Sequence, residues 1–320
     1  MVPGSEARIA LYFYVFKKRL SASQGIEVIS SNQIKATLHR VYVYLYWRIR
    51  RVLLHGFRQL RYWIWSTFSP IEPSYPMLRF LDEAKGARLT RVGSPNDGGY
   101  LLPDLALEKK PSIVISPGAD VNVTFESHFA EMGSLVICLD ASVEHLPVEH
   151  PNLIFVKKFL GPHNSENWTT LETILEEAIA ILPSLGQPLS EWPLDSNILQ
   201  MDIEGWEWQV FEGVTPATLQ AFEYMIVEFH DTHLFYEPKR FKQMTAAIRN
   251  IMSTHRLVFV HRNNGDKMLR MGSVDVPPLL EVTFARKDIN FESELEIPAS
   301  APNSPEFEDE FPNWLAKYAS

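Results

Sequence analysis

At 320 residues the chain is long enough for one large α/β domain with appendages, or for two small domains. Hydrophobic residues at 46% and charged residues at 22% are ordinary globular usage and exclude a disordered chain. A formal charge of -9 argues against a general nucleic-acid binder, and the single cysteine, Cys138, excludes a disulfide framework or a Cys-rich zinc site and suits a cytoplasmic compartment.

Leu11 to Phe16 is apolar but stops at Lys17, Lys18 and Arg19, a run too short to span a bilayer and without the basic leader and cleavage site of a secretory signal. From Lys35 to Arg61 the chain carries Lys35, Arg40, Arg48, Arg50, Arg51, Arg58 and Arg61 with no acid, interleaved with aromatics such as Tyr42, Trp47 and Phe57. That many arginines argue against a spanning helix. Three readings stay open: a helix at an anionic membrane surface through residues 35–65, a basic helix packed on the rest of the chain or a partner, and contact with nucleic acid, which the net charge disfavours. A helical, basic extension is therefore expected over residues 1–75, closed by Pro70, Pro73 and Pro76.

Leu89 to Gly93 reads as extended, and Asp97-Gly98 followed by Gly99 to Leu102 is a hairpin signal, because a primed turn needs positive φ. Ser112 to Ser116, then Pro117-Gly118-Ala119-Asp120 and a helix over 123–132, make the strand, glycine turn and helix that open a doubly wound fold. One glycine, Gly118, is a poor match to a dinucleotide pyrophosphate site. Leu135 to Leu139 is a second buried strand, and Asp140 at its end can accept two hydrogen bonds from a ribose diol or, alternatively, cap a helix. Asn152 to Val156 gives a third strand, and Leu171, Ile174, Leu175, Ala178, Ile179 and Leu182 predict an amphipathic helix over 169–183.

Asn197 to Met201 is an apolar run that delivers Asp202, Glu204 and Gly205, as a buried parallel strand does where its carboxyl end opens onto a site. On an extended chain Asp202 and Glu204 share one face, where they could share a cation, a proton or a hydroxylated ligand. They read equally well as caps of a short helix from Gly205 to Phe211. Phe222 to Phe229 reads as the next strand and brings Glu228 and His230 beside them. Phe241, Met244, Ile248, Ile251 and Met252 predict a further helix, residues 256–261 and 280–284 further strands, and Arg262 to Gly265 a polar turn. Residues 291–320 are acidic and proline-bearing and read as a poorly ordered tail.

The segment Asp202-Ile203-Glu204-Gly205-Trp206-Glu207 resembles the Asp-(Val/Ile)-Glu-Gly-(Tyr/Trp)-Glu motif of the FkbM-type family of S-adenosylmethionine-dependent methyltransferases. Asn96-Asp97-Gly98-Gly99-Tyr100 and Glu228-Phe229-His230 agree with it in the family's order, over residues 90–285. The resemblance implies an α/β fold over 76–290, a Rossmann-like, mostly parallel sheet of about seven strands. It implies S-adenosylmethionine as cofactor, with Gly118, Asp120, Glu126, Asp140 and Asp202 in contact with it. Asn96 and Asp97 are implied to lie near the active-site mouth and, with Glu228, to meet the acceptor, while Asp202, Glu204 and His230 are the expected catalytic residues. The expected reaction is O-methylation of a hydroxyl on a sugar, glycolipid or secondary metabolite, a small-molecule or glycan acceptor. No metal ligand is assigned; if Mg2+ is used, Asp202, Glu204 and Glu228 would hold it. An NAD-dependent oxidoreductase and a membrane-associated binding protein without catalysis are the competing readings. The expected location is cytoplasmic, peripheral at the membrane if the basic segment binds lipid.

Overall fold

The computed structural model describes residues 88–95, 97–185, 194–263, 269–271 and 274–291. The basic segment 35–65, the rest of 1–87, Asn96 and the acidic tail from 292 lie outside the described residues. Among those described, no helix is long and apolar enough to cross a membrane.

A hairpin comes first, β1 (Leu89–Gly93) against β2 (Gly99–Pro103). Then follow α1 (Leu105–Glu108), β3 (Ile113–Pro117), α2 (Thr124–Glu131), β4 (Leu135–Leu139), β5 (Leu153–Val156), the short pair β6 (Phe159–Leu160) and β7 (Trp168–Thr169), and α3 (Leu171–Ile181). The second half runs β8 (Asn197–Met201), α4 (Glu207–Gly213), α5 (Pro216–Gln220), β9 (Phe222–Phe229), a 3-10 turn, α6 (Pro238–Thr254), β10 (His255–Arg262), the small hairpin β11 (Leu269–Met271) and β12 (Val274–Val276), and β13 (Leu280–Arg286).

Seven of these strands form one sheet in the order β10-β13-β9-β8-β3-β4-β5. Every pairing from β9 to β5 is parallel, and β13 alone runs antiparallel to both its neighbours. This is the expected mostly parallel, Rossmann-like sheet. From β3 the chain builds outward through β4 to β5, then returns to lay β8 and β9 on the other side of β3. The order therefore reverses between β3 and β8, and a cleft opens beyond their carboxyl ends.

Buried strands of such a sheet are covered on both faces, so β3, β4 and β8 are buried at every position. Side chains alternate between two layers. Val114, Val136, Cys138, Ile198, Tyr224 and Ile226 pack with Phe125 and Phe129 of α2 and with Tyr100 and Leu102 of the hairpin. Cys138 is a free, buried thiol, as its place in an apolar run implies. At the amino ends, Asn197 clamps three strands: its Oδ1 accepts from Ile113 N at 3.2 Å, and its Nδ2 donates to Leu194 O and Ala221 O at 2.7 and 2.8 Å.

The hairpin differs from the tight primed turn in the sequence reading. Gly93 pairs with Gly99, which leaves residues 94–98 as the loop. Asn122 Nδ2 donates to Asp97 O at 2.7 Å, and a Cβ on Gly98 would stand 2.3 Å from that same nitrogen, so the loop is docked on the residues before α2.

His255 opens β10 with no exposed surface. Its Nε2 faces Phe222 O at 3.0 Å and its Nδ1 faces Thr254 Oγ1 at 2.8 Å, partners that suit a neutral ring donating at Nε2 and accepting at Nδ1. Burial, opposed by the Phe222 carbonyl, depresses its pKa from 6.5 to about 4. The folded value lies below the unfolded one. Above pH 6.5 the ring is neutral in both states; between 6.5 and 4 only the unfolded chain takes up the proton, so stability falls as pH falls, by about 3 kcal/mol at pH 4. Urea unfolding at pH 7 and pH 4.5 should show this loss in the wild type and a clearly smaller one in His255→Gln.

Candidate active site

Gly118 follows β3 at φ +87, and a Cβ there would lie 1.5 Å from Asp202 O. The turn after β3 and the end of β8 thus cross backbone on backbone, which only glycine permits. Asp202 N donates to Pro117 O at 3.1 Å and Gly118 N to Leu139 O at 2.8 Å, so β3, β4 and β8 are tied together at their carboxyl ends.

Above that knot is a cavity of about 490 Å³, lined by Asp97, Gly118, Asp120, Leu139, Asp140, Ser142, Phe159, Leu160, Trp168, Asp202, Ile203, Glu204 and Trp206. A ligand site of ordinary size falls within this volume. The lining holds five carboxylates and neither lysine nor arginine. Asp140 follows β4, and its Oδ1 accepts from Ser142 N at 2.6 Å, which fixes the carboxylate at the edge of the cavity. The same lining holds a group of aromatics. Trp168 lies 5.1 Å from Phe159 and 4.7 Å from Trp206 between ring centroids, and Phe159 and Trp206 remain more than a third exposed.

Around Asp202 and Glu204 of that lining, the carboxyl ends of β8 and β9 bring their acids together. His230 Nε2 is 3.7 Å from Asp202 Oδ1, 3.5 Å from Glu204 Oε2 and 3.9 Å from Glu228 Oε1. Behind the ring, Nδ1 meets Glu207 Oε1 at 3.1 Å. Glu207 has no exposed surface, and the same oxygen accepts from Ile203 N and Gly205 N, each at 3.1 Å. Trp208 Nε1 donates to His230 O at 2.7 Å and anchors the backbone. Glu204 and Asp231 both sit at φ 55, in the left-handed region that costs a non-glycine residue about 1–2 kcal/mol. Strain of this kind concentrates at functional sites.

Burial lifts the Asp202 carboxyl to about 7, with His230 opposing and Glu207, Glu204 and Asp97 adding to the rise. Burial, then the charges of Asp202, Glu281, Asp97 and Glu207, pushes Glu228 well above the usual carboxylate range. Burial by itself would lower His230, but the hydrogen bond and charge of Glu207, with Asp202 and Glu204, hold it at about 9. One ligand atom each from Asp202, Glu228 and His230 lies within 4.8 Å of the other two, so these three are the described residues able to hold a metal ion.

Of the residues singled out in the sequence, Asp97, Gly118, Asp120, Asp140, Asp202 and Glu204 line the cavity. His230 and Glu228 stand immediately behind Asp202, and Asn96 lies outside the described residues. Glu126 is placed elsewhere. It is 3% exposed, and its Oε1 lies 2.5 Å from Ser116 Oγ, which is also 2.6 Å from Gln200 Oε1. One hydroxyl hydrogen cannot serve two acceptors, and burial raises Glu126, so a protonated Glu126 donating to Ser116 satisfies the chain. That network props the ends of β3 and β8 from within the core. In the polar turn after β10, Asn263 Nδ2 donates to Glu228 Oε1 at 3.1 Å, while Asn264 and Gly265 lie outside the described residues.

Glu207, Trp206, Phe159 and Trp168 were not singled out as site residues. Glu207 and Trp206 belong to the central motif, and their position in it was the one available signal.

Residues 188–267 match the methyltransferase FkbM domain. The match takes in β8, β9 and the turn between β8 and α4, and so Asp202, Glu204, Glu207, Glu228 and His230. Among solved structures, a Methanococcus jannaschii fibrillarin pre-rRNA processing protein aligns at 11% identity and TM-score 0.29, over 56% of this chain and 68% of its own. A variant of the 16S rRNA (adenine(1408)-N(1))-methyltransferase of Catenulisporales acidiphilia aligns at 11% identity and TM-score 0.26, over 63% and 100%. Spermidine synthase of Thermotoga maritima aligns at 10% identity and TM-score 0.32, over 74% and 82%. No curated protein matches the chain.

Proposed function

We propose, from the methyltransferase FkbM domain at residues 188–267, that the protein transfers a methyl group from S-adenosylmethionine to a hydroxyl of a neutral, oxygen-rich acceptor. The observation that carries the reading is one cavity lined by both Asp140, a carboxylate able to accept from a ribose diol, and Asp202, which has His230 3.7 Å away.

The residues present fit this cofactor. Gly118 lets the turn after β3 pass directly against the Asp202 backbone, and Asp140 offers a fixed carboxylate to a vicinal diol. A lining of five acids without a basic residue suits a sulfonium and opposes a pyrophosphate, which disfavours the dinucleotide alternative. When bound, S-adenosylmethionine supplies a methyl on a positive sulfur that leaves as a neutral thioether.

The chain's own part is to align the acceptor, keep water out and take the proton. With the cofactor bound, Asp202 or Glu204 at the end of β8 would receive the acceptor's hydroxyl proton. The aromatic wall of Trp206, Trp168 and Phe159 offers a ring face of the acceptor or the adenine a flat apolar surface. A sugar or glycolipid hydroxyl accords with acids to receive hydroxyl hydrogens and indoles to cover a ring face.

Calorimetric titration of S-adenosylmethionine against NAD, followed by release of labelled methyl to a panel of hydroxylated acceptors, tests the proposal. Binding of NAD and not S-adenosylmethionine would reverse the assignment. Asp140→Asn should weaken S-adenosylmethionine about 10–100-fold, the value of a charge-assisted hydrogen bond or two, with little change in Tm. An unchanged Kd would remove Asp140 from the cofactor site.

A further inference from the structure

We propose that Asp202, Glu228 and His230 form a site for one divalent first-row transition-metal ion, of the Mn2+ type rather than Mg2+, at the acceptor end of the cavity. Its use rests on the hydroxyl-methylation reading above; its existence does not.

The three donors come from neighbouring strand ends, so their spacing is set by the sheet. His230 Nε2 is 3.7 Å from Asp202 Oδ1 and 3.9 Å from Glu228 Oε1, and all three ligand atoms fall within 4.8 Å of one another. Donors bonded to a divalent ion at about 2.1 Å stand about 3 Å apart at right angles and about 4.2 Å apart when opposite. The two histidine spacings already lie in that range. The third spacing, between the Asp202 and Glu228 carboxylates, is within 4.8 Å.

The histidine is held as a metal ligand is held. Glu207 Oε1 engages Nδ1 at 3.1 Å and is itself fixed by the N–H groups of Ile203 and Gly205. Nδ1 is then the donor to Glu207, and Nε2 is the nitrogen turned to Asp202 and Glu228, the carboxylate–histidine arrangement that orients imidazole ligands in metal sites. The second oxygen of Glu207, Oε2, is buried without a partner. Glu228 is likewise oriented, by Asn263 Nδ2 at 3.1 Å. The carboxylates that bear on Asp202 and Glu228 are those of Glu204, Glu207, Glu281 and Asp97, so the cluster calls for a counter-charge. A bound cation would supply it.

The donor set also selects the ion. Mg2+ and Ca2+ take oxygen ligands, whereas an imidazole nitrogen with two carboxylates suits the first-row divalent metals, and Mn2+ is the one among them that accepts carboxylates most readily. Histidine, rather than Glu204, completes the set; Glu204, with its side chain 87% exposed, is left free to pass a proton to solvent. A cation there would make Asp202 its ligand instead of a proton acceptor, bind the acceptor's hydroxyl oxygen and lower its pKa, and the released proton would leave through Glu204 alone.

The test is titration of MnCl2 into full-length protein stripped with EDTA, followed by calorimetry and by the electron paramagnetic resonance signal of free Mn2+. One Mn2+ per chain is expected, with Kd raised at least tenfold in His230→Ala and in Glu228→Gln, about 10–100-fold in Glu207→Gln, and no displacement by equal MgCl2. Thermal melts in EDTA establish that each variant is folded. Absence of saturable Mn2+ binding, or equal affinity in the wild type and both folded ligand variants, overturns the site. Displacement by equal MgCl2 overturns the nitrogen ligand. Full methyl transfer by stripped protein with EDTA present overturns the metal's role and leaves the proposed function standing. Stoichiometric Mn2+ on a protein that binds no S-adenosylmethionine supports the site and overturns the proposed function.

Discussion

Gly118→Ala should destabilise the fold by about 2–5 kcal/mol and abolish S-adenosylmethionine binding. The backbone there sits at φ +87, a conformation that costs an L-residue about 1–2 kcal/mol. The added methyl would stand 1.5 Å from Asp202 O, and overpacking of that kind costs about 1–3 kcal/mol more as the neighbours shift. Relief is hard to find, because Asp202 N is bonded to Pro117 O and Gly118 N to Leu139 O. Any movement that frees the methyl pulls β8 from β3 and shifts Asp202 out of the cavity floor. Gly213→Ala is the control, since a Cβ there meets nothing within 4 Å, and it should be neutral or stabilising by a few tenths of a kcal/mol. Urea unfolding and calorimetric titration of both variants measure the contrast. A Gly118→Ala protein that unfolds like the wild type and binds the cofactor would show that the crossing does not build the site.

That crossing lies at a place the sequence marks with one glycine, and the ease of reading it differs from the rest. β9 spans Phe222–Phe229, as its apolar run implied, because a strand buried on both faces is continuous in hydrophobicity and ends where the polar residues begin. β3, β4 and β8 were legible for the same reason, and α3 and α6 through their helical spacing. The acids at strand ends were legible because apolar runs led straight to them. Glu207 was not. Within its own segment it is a first-turn helix acid, and only a contact with a residue 23 positions later makes it the support of His230. The aromatic wall was hidden in another way. Phe159 and Trp168 lie on two-residue strands whose pairing follows no hydrophobic period, so the loop gave no hint of which side chains it turns inward. Glu126 misleads for a related reason: helical spacing puts it on the inward face of α2, where Ser116 and Gln200 await it instead of a ligand.

Asp202→Asn should lower turnover about 10²–10⁴-fold, the range of a lost proton acceptor, and yet raise stability. Asparagine keeps the shape of the side chain and its place after β8, against Gly118, so the cavity is preserved. What disappears is a half-buried charge 3.7 Å from His230 and near Glu204, Glu207 and Glu228. In the folded state burial holds this carboxyl at about 7, above its unfolded value of 3.8. Ionising it is therefore harder in the folded chain, and stability is lost as pH rises from 3.8 through about 7, a loss that the amide does not suffer. At pH 8 in EDTA the variant should melt at a higher Tm than the wild type, while at pH 4 the two should converge. Activity and stability moving in opposite directions is the mark of a residue kept for chemistry at a cost to the fold. A variant that loses activity together with Tm would instead make Asp202 a structural tie between β8 and β3. One that keeps turnover would move the proton acceptor to Glu204, for which Glu204→Gln with the same assay decides.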